Sequence, residues 1–129
     1  MSVELNHTIV SARDNRASAE FLAHILDLRV GPEAGFFVPV ETGNGVTLDY
    51  ATVDPERITT QHYAFLVSEE EFDASFARIE EAGLAYWADP RQERPGEINH
   101  HHGGRGVYFL DPAGHAMEIL TQPYGSPTT

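Results

Sequence analysis

Two histidines and two carboxylates stand at positions of this sequence from which a metal site is readily assembled. His7 and His62 lie in two strand-like segments, and Asp49 and Glu118 lie in two others. Side chains alternate between the two faces of a strand, so each of the four is predicted to lie opposite the apolar residues that pack on helices. Two imidazoles and one carboxylate form a ligand set that suits Fe, Mn, Zn, Ni or Co. The four residues therefore predict a divalent metal site.

Each of these residues also has a plain structural interpretation. A single strand histidine near a chain end, such as His7, is usually a surface or packing residue. Glu118 lies between Met117 and Ile119, and a carboxylate on a buried sheet face costs several kcal/mol without a partner. The metal hypothesis therefore depends on how the residues are related to one another.

That relation is a repeat in the chain. An offset of 55 residues places His7 on His62, and an offset of 69 residues places Asp49 on Glu118. The order of the predicted elements repeats as well, and such a repeat changes the expected fold.

The predicted elements follow from apolar periodicity, caps and turns. In the first half they are a strand at 5–10, a helix at 15–28 capped by Asp14, and two strands at 36–41 and 46–51 around Gly43-Asn44-Gly45. In the second half they are a strand at 61–67, a helix from the Ser68/Glu71 capping box to Gly83, a strand from Tyr86, and two strands at 106–110 and 115–121.

The predicted fold class is α+β, with two βαβββ modules that pair mixed sheets around a metal-containing cavity. Module one is expected at about residues 1–53 and module two at about 60–122, followed by a tail at 123–129. The length of 129 residues fits a single domain.

Composition and charge exclude several classes of partner. The net charge of −12 repels nucleic acid and anionic membranes. No apolar run approaches the roughly 18 residues of a membrane helix, and the first seven residues lack the basic region of a signal peptide. The absence of cysteine excludes thiolate ligands and disulfides. We expect a cytoplasmic protein whose partner is a small molecule.

Three segments resemble the vicinal oxygen chelate superfamily, which includes glyoxalase I, extradiol dioxygenases, fosfomycin-resistance enzymes and bleomycin-resistance proteins. The segments are Leu5-Asn6-His7, Gln61-His62-Tyr63-Ala64-Phe65 and Val107 to Glu118. The last is the most specific, because it contains Asp111-Pro112-Ala113-Gly114-His115 between two strands. The resemblance covers nearly the whole chain and implies that His7, His62 and Glu118 are the metal ligands.

Within the superfamily, the resemblance favours an extradiol-type dioxygenase. Tyr108 occupies the place of a substrate-contacting tyrosine and is expected to donate a hydrogen bond. His101 belongs to a histidine cluster in a loop near the place where extradiol dioxygenases carry a histidine, and it is expected to move protons. Fe(II) or Mn(II) is the favoured cofactor, Ni, Co and Zn are the alternatives, and the expected substrate is catechol-like.

A glyoxalase I-type lyase or isomerase is the first alternative. The acid–base histidine of the dioxygenases is missing from the strand before His62, and Asp49 lies about there instead. Asp49 resembles a shortened form of the glutamate ligand of glyoxalase I, and either it or Glu118 would abstract a proton beside a carbonyl.

The second alternative is a non-catalytic protein that binds a small molecule such as an antibiotic, as bleomycin-resistance proteins do. The fosfomycin-resistance function is less expected, because the chain ends eleven residues after Glu118 and leaves little of the segment that holds the phosphonate. Exposed sheet edges predict a homodimer. In this superfamily, ligands of the His7 type often cross between subunits.

Overall fold

The computed structural model describes residues 2–125, so part of the predicted tail at 123–129 lies outside the described residues. The chain forms two compact units, which meet in sequence between Thr59 and Thr60. The elements of the first unit are β1 (His7–Ala12), α1 (Asn15–Leu26), β2 (Phe37–Glu41) and β3 (Thr47–Thr52). Those of the second unit are β4 (His62–Leu66), α2 (Glu69–Glu81), β5 (Tyr86–Trp87), β6 (Gly106–Leu110) and β7 (Ala116–Leu120). The predicted α+β class is confirmed, and the organisation of both units as one domain stays a prediction.

Three strands of each sheet have the same topology. In the first unit the strand order is β1-β3-β2, with β1 parallel and β2 antiparallel to β3. In the second unit the order is β4-β7-β6-β5, with β4 parallel and β6 antiparallel to β7. His7 pairs with Thr47 and His62 pairs with Ala116, so the pairing repeats with the offsets of 55 and 69 residues found in the sequence.

The first unit has three strands, one fewer than the four of the predicted βαβββ module. The place that β5 takes beside β6 is held in the first unit by a single bridge between Val30 and Val40. Gly31 and Pro32 follow Val30 directly. A proline has no N–H to donate to a ladder, and a glycine weakens a strand, so the segment does not extend beyond the bridge.

The helices begin and end at their predicted capping residues or close to them. The Asp14 side chain accepts a hydrogen bond from the N–H of Ala17, and Asp27 ends α1 in the left-handed conformation. At the start of α2, the Ser68 side chain accepts from the N–H of Glu71 while the Glu71 carboxylate accepts from the N–H of Ser68. Among residues 2–125, no helix is long and apolar enough to cross a membrane.

Each unit packs its helix against one face of its own sheet. The largest fully buried side chains of the first unit are Val10, Leu22, Ile25, Val38, Val40 and Tyr50. Those of the second unit are Phe72, Ile79, Phe109, His115, Met117 and Ile119. The opposite face of each sheet carries the predicted ligands.

Candidate functional site

The face of the second sheet that lies away from α2 carries His62 and Glu118. Met117 and Ile119 are fully buried, and Glu118 between them points to the other side, with 13% of its side chain exposed. His62 is exposed at the start of β4. The alternation predicted from the sequence therefore holds in both strands.

His62 and Glu118 are in direct contact. The Nε2 atom of His62 donates a hydrogen bond of 2.8 Å to Oε1 of Glu118. The parallel pairing of β4 with β7 makes this contact possible, because His62 lies opposite Ala116 and Glu118 follows two residues later on the same face. An imidazole nitrogen and a carboxylate oxygen are both divalent-metal ligands, so the chemistry of this pair fits the predicted cofactor.

Tyr108 on β6 completes a polar group on this face. It lies opposite Glu118 in the β6–β7 ladder, and its ring centroid is 5.6 Å from that of His62. Burial raises the pKa of Tyr108 to about 12, and the negative charge of Glu118 and a hydrogen bond to it act in the same direction. Tyr108 is therefore a protonated hydroxyl at neutral pH and can donate a hydrogen bond.

Two of the predicted site residues lie in the first unit. His7 is exposed on β1, with its Nδ1 atom 2.7 Å from Oδ1 of Asn6. Asp49 lies opposite Ile9 in the β1–β3 ladder and is partly buried. Within the described residues, no group of three or more His, Asp or Glu side chains is arranged to hold a metal ion. The roles of His7 and Asp49 stay predictions.

A cavity of about 340 Å³ opens beside the His62–Glu118 pair in the second unit. Its lining residues are His62, Ala64, Asn99, His101, His102, Arg105, Tyr108, Glu118, Leu120, Gln122 and Tyr124. His101 was predicted from the sequence as a member of the loop cluster. Gln122 and Tyr124 were not, because they lie beyond the last strand, where no periodic pattern marks them.

The Asp111–His115 turn aligns the two strands that carry the pair. One oxygen of Asp111 accepts hydrogen bonds from the N–H groups of Ala113 and His115. The buried His115 ring accepts through Nδ1 from the N–H of Gln61, at 2.9 Å. Since Gln61 directly precedes His62, this motif holds the start of β4 against the start of β7.

The comparisons with known proteins agree with this architecture. Residues 4–119 match the Glyoxalase/Bleomycin resistance protein/Dioxygenase superfamily. The chain belongs to this superfamily. This membership confirms the resemblance to the vicinal oxygen chelate proteins that the strand and turn motifs suggested.

Individual relatives within the superfamily are enzymes of more than one kind. The solved structure of "Oxidase ChaP-H2" is 65% identical, covers 98% of both chains and superimposes with a TM-score of 0.95. "Oxidase ChaP-H1" is 55% identical, with 97% of this chain and 100% of that chain covered and a TM-score of 0.92. "Glutathione transferase FosA" of Serratia marcescens is 31% identical over 92% of this chain and 81% of its own length.

Proposed function

We propose that this chain is a metal-dependent oxidative enzyme of the superfamily, of the extradiol-dioxygenase type, acting on a small molecule with two adjacent oxygens. The observation that carries the proposal is the 65% identity to "Oxidase ChaP-H2" over 98% of both chains. The contact between His62 and Glu118 beside a cavity supports it, because those two side chains would supply two of the three ligands of a two-histidine, one-carboxylate site.

The metal would be held by His62, Glu118 and His7. Fe(II) or Mn(II) is favoured, since this ligand set leaves positions open for a substrate. When bound, the metal ion supplies Lewis acidity for two adjacent substrate oxygens. Tyr108 would donate its hydroxyl hydrogen bond to one of these oxygens, and His101 on the cavity wall would exchange a proton with the substrate.

We further propose a homodimer in which His7 reaches the His62–Glu118 pair of a second copy. The strands that carry the histidines, β1 and β4, are both at the edge of their sheets. Ile9 on β1 is 55% exposed and Leu66 on β4 is 61% exposed, each on the same face as the histidine of its strand. Unpaired edges with exposed apolar side chains are surfaces that a second chain can cover.

A glutathione transferase is the second candidate, because of the 31% identity to FosA. Glutathione carries two carboxylates, so its binding site is expected to supply cations. The eight basic residues of this chain are all arginines. Arg105 lines the cavity, but its guanidinium is already bound to Glu69 and Asp73, each at 2.8 Å. This pairing favours the oxidative function.

Anaerobic reconstitution of metal-free protein with Fe(II), Mn(II), Ni(II), Co(II) or Zn(II) tests the proposal. We expect oxygen uptake with catechols when Fe(II) or Mn(II) is present, and loss of the uptake in His62→Ala and Glu118→Ala. Turnover of a hemithioacetal without oxygen uptake would instead identify a glyoxalase-type lyase. Consumption of glutathione would identify the transferase. A ligand affinity that stays the same when a metal chelator is added would identify a binding protein.

A further inference from the structure

The loop with three consecutive histidines is anchored firmly at its start. Asn99 and Gly106 exchange two backbone hydrogen bonds, of 2.8 and 3.0 Å. The Asn99 side chain is buried, and it donates to the carbonyl of Ala88 at 2.8 Å and accepts from the N–H of His101. The loop therefore leaves the sheet in a defined direction.

The end of the loop is anchored as well. The N–H of Arg105 donates to Oγ1 of Thr121 at 2.8 Å, and the N–H of Thr121 donates to the carbonyl of Arg105. Between the two anchors, His102 adopts φ 58° and ψ 27°, the left-handed conformation that residues other than glycine rarely use. Such strained residues cluster at ligand-binding sites, where the surrounding structure holds them.

The strained backbone brings the His102 ring to Tyr124. Their ring centroids are 5.4 Å apart and the planes are inclined at 62°, an edge-to-face contact. Both residues line the cavity that contains His62, Tyr108 and Glu118, and Tyr124 is 91% exposed. The two rings therefore form an aromatic surface at the solvent side of the cavity.

We propose that His102 and Tyr124 determine substrate specificity by packing on the part of the substrate that extends beyond its two adjacent oxygens. This inference rests on the proposed function for the position of those oxygens. The group that fits is an uncharged planar ring. Two aromatic side chains offer it a surface, and the Arg105 guanidinium nearby is neutralised by Glu69 and Asp73.

The proposed role of His102 and Tyr124 can be tested by the binding of two probes, catechol and 2,3-dihydroxybiphenyl. Both are bound to the metal-loaded protein under anaerobic conditions. His102→Asn removes the ring and keeps a residue that tolerates the left-handed conformation; Tyr124→Ala removes the other ring. In calorimetry we expect each variant to raise the Kd of 2,3-dihydroxybiphenyl about tenfold and to leave the Kd of catechol within about twofold. The double variant should lose less than the two single losses combined, because the rings contact each other.

Controls separate specificity from folding. His24→Asn changes an exposed histidine of α1 and should leave both Kd values unchanged. His102→Gly, which relieves the backbone strain, should match His102→Asn in binding and retain the wild-type melting temperature. Equal losses for both probes, or no preference of the unaltered protein for the larger probe, would overturn the proposal. Selective binding of the larger probe without oxygen uptake would refute the oxidative function and would still support the role of His102 and Tyr124 in specificity.

Discussion

Gly106 shows how the loop beside the cavity depends on a residue without a side chain. A Cβ atom at this position would lie 2.9 Å from Oδ1 and 3.0 Å from Nδ2 of Asn99. We expect Gly106→Ala to displace the Asn99 amide from the carbonyl of Ala88 and to lower the free energy of unfolding by about 1–3 kcal/mol, as for a lost buried hydrogen bond. Urea denaturation measures the change.

Gly43 is the matched control for that substitution. A Cβ at Gly43 meets no atom within 4 Å, and the backbone there is not left-handed. Gly43→Ala should therefore change the free energy of unfolding by less than about 1 kcal/mol. Equal effects of the two alanine variants would show that Asn99 does not hold the loop.

Asp111 is a single residue that should make the free energy of unfolding depend on pH. Burial raises the pKa of Asp111, so the folded protein holds this proton more tightly than the unfolded chain, whose pKa is about 3.9. Tighter binding of this proton stabilises the folded protein. The stabilisation is complete below the pKa that Asp111 has in the unfolded chain, and it is lost as the pH rises through the pKa that Asp111 has in the folded protein. Asp111→Asn keeps an acceptor for Ala113 and His115 but does not ionise.

The free energy of unfolding of Asp111→Asn, relative to that of the wild type, should therefore increase as the pH rises above about 4. Urea denaturation of both proteins from about pH 4 upward gives the difference, in which the titrating groups that do not interact with Asp111 cancel. A difference that does not vary with pH would contradict the assignment of the shift to Asp111.

At the scale of the elements, local signals decided which predictions held. The Ser68–Glu71 capping box and the Gly43–Gly45 turn are short-range patterns, and the structure contains both. The loop from 89 to 105 has no apolar periodicity from which its structure could be predicted. It is ordered instead by bonds such as those of the Asp89 carboxylate, which accepts from the N–H groups of Glu93 and Arg94. Such hydrogen bonds form only when the loop already follows its folded backbone course, and the amino-acid composition of the loop does not predict that course.

The capping box predicts a measurable contribution to α2. Ser68→Ala removes the acceptor for the N–H of Glu71 and should lower the free energy of unfolding by about 1 kcal/mol. Ser68→Thr keeps a hydroxyl and should retain most of the stability. Hydrogen exchange in the first turn of α2 should accelerate in the alanine variant alone. Equal acceleration in both variants would mean that the side-chain cap does not hold the turn.

At the scale of the whole molecule, strand alternation and the repeat identified His62 and Glu118 correctly as neighbours on one face. Their contact lies inside one unit, where strand pairing determines it. The position of His7 relative to this pair depends on how units, or copies of the chain, associate. Apolar periodicity specifies which face of a strand is buried, not which partner covers the other face, so the sequence does not predict where His7 lies relative to the pair.

Mixing inactive variants tests whether the metal site is shared between two copies. In a dimer of His7→Ala with His62→Ala, one of the two sites receives an intact His7 from one chain and an intact His62–Glu118 pair from the other. After random mixing about half of the dimers are of this kind, so metal binding should recover to about a quarter of the wild-type content, measured by elemental analysis. His62→Ala mixed with Glu118→Ala should recover nothing, because both changes affect the pair contributed by a single chain. Recovery in neither mixture would place His7 and the pair in the same chain, whereas wild-type metal content in His7→Ala alone would remove His7 from the site.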